Sequence, residues 1–322
     1  MTRKPQACVE IEPDLVATAT GDAKPAATHR VERHIDTCAS CRGEFQRYRQ
    51  IEGAVGTLRR APAPSEAVIR AREGLESRLA DLRSRLVIYR VFPSPLGHIL
   101  IARSEHGVSL VEYLGERTDF RASRLGRVAG VEPQEDGAEV EALYRELLEY
   151  LRGDRRQLGW PLDLRLARSD FHRAVLQATA AVPYGAVTSY AGIASDVGKP
   201  AAVRAVAQAL RWNPLPIVVP CHRVIGSSGS LTGYAGDKLT LKQRLLGVEG
   251  VPTLREQRDF RVARDAMYAR DRDYAEYCLP TCGSIASRTL SGLTLFASRE
   301  RAESSGLAPC TTCRPDLHPL TV

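Results

Sequence analysis

Pro220-Cys221-His222-Arg223-Val224 closes the apolar run Leu215-Pro216-Ile217-Val218-Val219. A cysteine at the end of a short apolar segment, flanked by prolines, is expected to be rigidly held and half buried. Thiolate is the nucleophilic form of cysteine, so the adjacent histidine matters as a possible base. Alone, the pair proves little, because a buried cysteine ordinarily packs as a small hydrophobe. Its surroundings decide the reading.

Upstream, Phe171 to Ala181 reads as a helix ending before Pro183-Tyr184-Gly185. Thr188-Ser189 caps a short helix from Tyr190 to Val197, stopped by Gly198. Pro200 sits where a helix can begin, and the next helix is expected over Ala201 to Arg211. Short helices joined by tight turns form a helix-turn-helix pattern. The second helix turns Val203, Val206, Ala207 and Leu210 inward, leaving Ala201, Arg204, Ala205, Gln208 and Arg211 outside. Small residues permit close approach to a surface, and arginines contact phosphates or act as a wedge. An ordinary solvated face would look the same. Beyond Cys221, the small-residue stretch Ser227 to Gly236 is a flexible loop able to wall a pocket. Lys238 to Leu246 is a helix stopped by Gly247, with Glu249 just beyond.

Residues 171 to 250 resemble the active-site domain of the methylated-DNA–protein-cysteine methyltransferases. The likeness rests on Pro183-Tyr184-Gly185, Thr188-Ser189-Tyr190, Val203-Arg204-Ala205-Val206, Asn213-Pro214, Pro220-Cys221-His222-Arg223-Val224, Gly229, Gly233-Tyr234 and Glu249, in order and spacing. It implies transfer of an alkyl group from O6-alkylguanine, and from O4-alkylthymine, in duplex DNA to Cys221. The protein would be spent after one turnover and would need no cofactor for the transfer. It also implies that His222 takes the thiol proton through a water and that Glu249 orients and charges His222. A carboxylate there should favour imidazolium paired with thiolate. Tyr190 would protonate the departing guanine. Asn213 would fix the turn between recognition helix and site. Arg204 would fill the stack left by the flipped base, and Tyr234 would wall the pocket. With Ala205, Gln208 and Arg211, Arg204 and Tyr234 make the expected DNA-binding set. Trp212 departs from the family by its bulk, which bears on pocket or DNA contact.

Residues 87 to 166 read as a small α+β unit without an obvious reactive group. Strands are expected at Val87–Phe92, Ile99–Ala102 and Val108–Tyr113, with a turn at Ser94-Pro95-Leu96-Gly97. A helix is expected over Ala138–Leu151, and a further strand at Leu162–Leu166. His98 and His106 read as turn or surface residues. The Ser94–Gly97 turn and strand order resemble the RNase H-like N-terminal domain of the same family.

Of eight cysteines, seven fall at the chain ends and Cys221 stands between them. Close cysteine pairs outside an oxidising compartment read as metal ligands. His34, Cys38 and Cys41 are spaced along a helix, and Cys8 can complete a structural zinc site, with His29 as a rival fourth ligand. This segment resembles the helical zinc fingers of anti-sigma factors, which implies a sigma factor as a possible partner. At the other end Cys278, Cys282, Cys310 and Cys313 form a four-thiolate zinc site. Their setting resembles the Ada-type metal domain, in which the thiolate matching Cys278 accepts a methyl group from a DNA phosphotriester. The family's arginines after the first cysteine are replaced here by Leu279 and Gly283-Ser284.

The expected organisation is therefore an α+β multidomain chain. Residues 1–60 form the helical zinc finger, 61–86 a linker helix, 87–166 the RNase H-like sheet and helix unit, and 167–252 the winged-helix-like alkyltransferase domain. Residues 253–322 carry a linker or helix (Arg255 to Arg272) and the four-cysteine domain. The Arg59–Pro64 stretch reads as a linker, and Ser65–Leu86 as a solvated connecting helix or a dimerising one. The net charge of +7 favours a polyanionic partner. No apolar run spans a membrane and the first residues lack a signal-peptide core, so a cytoplasmic location is expected. A rival reading is a regulator, responsive to alkylation or oxidants, that binds a sigma factor or DNA through its zinc modules.

Overall fold

The computed structural model describes residues 5–59, 66–119, 121, 123–234, 238–256 and 259–320. It divides into two units, Met1–Arg78 and Leu79–Val322. The linker expected over 59–64 falls, from residue 60 on, outside the described residues.

In the first unit α1 (Gln6–Thr20), α2 (Pro25–Thr37) and α3 (Ala39–Arg59) surround a very small core of Cys8, Leu15, Val31 and Cys41. The helix that was to carry both His34 and Cys38 stops sooner. Cys38 has an extended backbone and caps α2, so the ligands flank a helix break instead of sharing one face. Next, α4 (Glu66–Arg85) exposes Val68, Leu75, Leu79 and Leu82.

The second unit begins with a four-stranded sheet in the order β3-β2-β1-β4: β1 (Leu86–Phe92), β2 (His98–Ser104), β3 (Gly107–Gly115) and β4 (Glu132–Glu135). Alternation along β2 sends Ile99 and Ile101 to the main core, while Leu100 and Ala102 join a smaller cluster on the other face. Helix α5 (Gly137–Arg152) lays Val140, Leu147 and Tyr150 in the main core. Asp136 caps its first turn, and Gly153 ends it with a left-handed backbone. The strand expected over Leu162–Leu166 is a single bridge, Leu162 to Val108, followed by a 3-10 turn. Strand β4 escaped the sequence reading because all four of its residues are polar or proline and exposed.

Helices α6 (Asp170–Ala180), α7 (Tyr190–Asp196) and α8 (Val203–Arg211) pack against one another. Ser169 and Ser189 cap the first two. Pro200 does not open α8. The helix starts three residues later, because Lys199 to Ala202 close a turn first. Helix α9 (Leu239–Val248) passes through Gly247 and ends at the Val248–Glu249 corner, where Gly250 supplies the left-handed residue.

The largest departure lies after residue 252. The expected linker or helix is β7 (Thr253–Glu256), β8 (Asp259–Val262) and β9 (Tyr268–Asp271), and β10 (Glu276–Tyr277) and β11 (Leu293–Phe296) follow. Strand β11 pairs on one side with β9 and on the other with β5 (Ala186–Ser189), which itself pairs with β6 (Val224–Ile225). One sheet, β6-β5-β11-β9, thus joins the four-cysteine region to the segment carrying Cys221. Among the described residues no helix is long and apolar enough to cross a membrane.

Candidate active site

Cys221 opens a one-turn 3-10 helix, Cys221–Arg223, directly before β6. It is 8% exposed, more buried than the sequence suggested. The turn before it is built by strain. Ile217, buried and not glycine, sits at φ +75 between Pro216 and Val219, which bridge each other. The buried Asn213 side chain reads this turn. Its Nδ2 donates to the Val219 carbonyl at 2.9 Å and to Cys221 Sγ at 3.2 Å, while Oδ1 accepts from Leu215 N at 2.9 Å. Asn213 therefore places the sulfur and stabilises its anion at once.

His222 is fully buried and its Nε2 lies 2.6 Å from Glu249 Oε1. With Nε2–H donating to the carboxylate, Nδ1 is left as the ring acceptor. It is buried and makes no hydrogen bond among the described residues. Glu249 carries more than the histidine. Arg223 Nε donates to its Oε2 at 2.9 Å and Arg223 Nη2 to Oε1 at 3.0 Å. Gly185 N donates to Oε2 at 3.0 Å, and Tyr150 Oη closes a short contact to Oε1. Burial alone would raise the Glu249 carboxyl, but the charges and hydrogen bonds of His222 and Arg223 outweigh it and hold it down at about 2. Gly185 must be glycine here. Its φ is +72, and a Cβ would meet the Glu249 carbonyl and Arg301 at 3.1 Å.

The expected imidazolium–thiolate pair is not what this geometry favours at rest. Burial pushes the Cys221 thiol up, partly offset by Asn213 and by the Lys242 and Arg124 charges. Burial likewise pushes His222 down despite Glu249, and Arg223 and Lys242 add repulsion. Burial of both groups, with the Arg223 and Lys242 charges beside His222, thus favours a neutral thiol and a neutral imidazole at rest.

Lys242 is a further buried group. Its Nζ donates to the carbonyls of Val224 at 2.6 Å and Thr232 at 3.0 Å, and burial lowers its pKa to about 8. The Thr232 carbonyl also accepts from Tyr190 Oη at 3.1 Å. A cavity of about 540 Å³ opens over Cys221, lined by Tyr190, Arg204, Gln208, Arg211, Thr232 and Tyr234 among others. Its volume suits a single nucleobase with room to spare. The loop expected to wall the pocket does so through Thr232, Gly233 and Tyr234, while Ala235 and Gly236 lie outside the described residues. Arg204, Ala205, Gln208 and Arg211 are exposed along α8 as expected. Tyr234 is buried, bonds Tyr113 Oη at 2.8 Å and stands in the cavity wall.

A family profile described as "6-O-methylguanine DNA methyltransferase, DNA binding domain" matches residues 170–251. The constitutive methylated-DNA–protein-cysteine methyltransferase of Bacillus subtilis is 40% identical over 165 residues, covering 51% of this chain and 95% of that protein. This chain belongs to the methylated-DNA–protein-cysteine methyltransferase family. The Methanosarcina acetivorans member is 36% identical over 168 residues, covering 50% of this chain and 97% of that protein. A crystal structure of Mycobacterium tuberculosis OGT in complex with DNA is 36% identical and covers 50% of this chain and 92% of that chain, with a TM-score of 0.43.

In this methyltransferase the sheet unit, read as chemically silent, buttresses the site from behind. Tyr150 on α5 reaches Glu249, and Tyr113 on β3 reaches Tyr234. Arg124 donates to the Asn213 carbonyl at 2.9 Å and to the Trp212 carbonyl at 3.4 Å. Pattern reading could not find them, since their partners lie far along the chain. Arg223 could have been flagged, being a charged residue inside an apolar motif.

Both cysteine clusters converge. The candidate ligand atoms of Cys8, His34, Cys38 and Cys41 all lie within 4.8 Å of one another, as do those of Cys278, Cys282, Cys310 and Cys313. His29 is exposed and pairs with Glu32, so it is no rival ligand. Cys278 ties the second cluster to β9, its backbone exchanging hydrogen bonds with Ala269, and the same sheet reaches the methyltransferase segment where β11 pairs with β5.

Proposed function

We propose that this protein repairs alkylated DNA by moving the alkyl group from guanine O6 to Cys221 Sγ, once per molecule. The observation that carries this reading is a single sulfur at the floor of a nucleobase-sized cavity beside an exposed arginine-bearing helix, backed by the buried His222–Glu249–Arg223 set.

His222 Nδ1 accepts the Cys221 proton through a bridging water, and Glu249 and Asn213 stabilise the charges that result. The thiolate attacks the alkyl carbon. A C–S bond forms as the C–O6 bond breaks, and its electrons return to guanine. Tyr190, on the cavity wall, supplies a proton to the leaving base; the Lys242 ammonium, bonded to the same Thr232 carbonyl, stabilises the transient phenolate, which regains a proton from water as His222 releases one. A thioether has no leaving group to expel, so the protein is consumed. O4-alkylthymine belongs to the same reading, since it presents the same bond.

An antiparallel β3-β2-β1 core with α5 on one face supports an RNase H-like sheet unit, and the α6–α8 trio supports a winged-helix-like one. Zinc suits both clusters, because three or four mutually close, mostly buried sulfurs form a closed structural donor set. Bound zinc would keep these thiols ionised. Cys278 is then a candidate acceptor for a methyl group from a DNA phosphotriester, with a phosphodiester anion leaving. Seven of eight cysteines so engaged suit a reducing, cytoplasmic setting. No observation favours a sigma factor or a regulatory role.

The test is mass spectrometry after incubation with duplex DNA carrying O6-methylguanine. One added methyl on the Cys221 peptide, absent in Cys221→Ala, is the expected result. An unmodified Cys221 in folded, DNA-bound protein overturns the reading. Phosphotriester DNA asks the same of Cys278.

A further inference from the structure

Helix α8 does not end its exposed stripe at Arg211. Positions 205, 208 and 212 follow one another at helical spacing, and Trp212, the cap residue, keeps a near-helical backbone at φ −101 and ψ 15. Trp212 is 36% exposed, unusual for so large an apolar ring. One side of the ring is occupied: the Arg168 guanidinium carbon stands 3.7 Å from its centroid. Arg124 anchors the backbone beneath by donating to the Trp212 carbonyl at 3.4 Å. A recess of about 180 Å³ runs from Trp212 to Cys221, bordered also by Arg124, Arg211 and Lys238. Trp212 therefore stands beside the reactive sulfur, eight residues and about 12 Å along the helix from Arg204.

We propose that Trp212, backed by Arg168, is a stacking platform for a nucleobase of the bound strand next to the extruded nucleotide. Extrusion strips a neighbouring base of its stacking partner. An aromatic face replaces that partner without regard to sequence, because every base has a π face. A guanidinium on the opposite side polarises the ring and fixes its orientation, so little freedom is lost on binding. Cations at the recess rim meet the flanking phosphates. The proposal rests on the DNA-repair reading above.

The protein offers its own reporter. It has two tryptophans. Trp160 is 7% exposed and donates to Glu146 at 3.0 Å, leaving Trp212 as the exposed one. Titration of the full-length protein with duplex DNA carrying O6-methylguanine should quench tryptophan emission, and Trp212→Phe should remove most of that quench. Trp212→Ala should weaken DNA binding about five- to fifty-fold, whereas Trp212→Phe should stay within about threefold. Arg168→Met should fall between. DNA binding by gel shift with no quench, and with Trp212→Ala as tight as wild type, would overturn the platform and leave the repair reading standing. Wild-type protein that neither binds the duplex nor gains a methyl on Cys221 would overturn both.

Discussion

The two cysteine clusters use nearly the same donors and are equally compact, yet they are attached to the protein in opposite ways. Cys8, His34, Cys38 and Cys41 come from three helices whose shared core is four residues. Little else there opposes chain entropy, so zinc held by these four side chains would supply most of that fold's stability. Cys278, Cys282 and Cys310 pack with Ile285, Leu290, Leu293 and Leu295, the last two on β11, which continues the sheet of the repair site, and Cys313 packs against them. The first cluster makes a module, while the second completes a domain. A ligand set identifies a metal site; what its backbone pairs with determines what the site supports.

The sharpest break of this comparison is removal of one ligand from each cluster. Cys38→Ser should unfold the first unit at a cost above about 4 kcal/mol, seen as lost helical circular dichroism. Methylation of Cys221 should stay within about twofold. Cys310→Ser should cost roughly 3–4 kcal/mol and should speed amide exchange at Ala186–Ser189 as well as locally. If exchange in β5 does not change, the shared sheet does not couple the two regions. Leu295→Pro tests the same link without touching a ligand. It cuts the strand between β5 and β9 and should cost about 3 kcal/mol with the cluster residues intact.

Two variants inside the site ask whether the chemistry stands apart from both clusters. Glu249→Gln should slow methyl transfer about a hundredfold, read by quenched-flow mass spectrometry. The Glu249 carboxyl is held at about 2 against an ordinary 4.5. Its stabilising effect is therefore present above pH 4.5 and lost as pH falls toward 2, and the variant should flatten that acid limb in urea melts. Lys242→Met should slow transfer about tenfold at pH 7. With Lys242 lowered to about 8 from 10.5, its charge fades above pH 8, and the gap between variant and wild type should close there. Burying that charge costs stability below pH 8, a cost relieved as pH rises from 8 to 10.5.

Much of the site was legible because its residues crowd into one short motif. Cys221, His222 and Asn213 lie within ten residues, and prolines and glycines mark the turns around them. The supporting groups were not legible. Tyr150 reaches Glu249 across 99 residues, and an amphipathic helix pattern gives no hint that one inward tyrosine will bond a carboxylate. Strand β9, Tyr-Ala-Arg-Asp, is too short and too charged to show a period of two. It is a strand because β11 beside it supplies the partner. Propensity also misplaced the start of α8, where Pro200 suits a first turn but the chain spends that turn on a loop.

Strand β5 has a neighbour on each side, β6 and β11. A chain clipped after residue 252 would keep Cys221, His222 and Glu249 and still be altered, because Ala186–Ser189 would lose its partner on one side. Bare strand edges recruit other chains. The last seventy residues therefore cover an edge of β5 that such a clipped chain would leave bare.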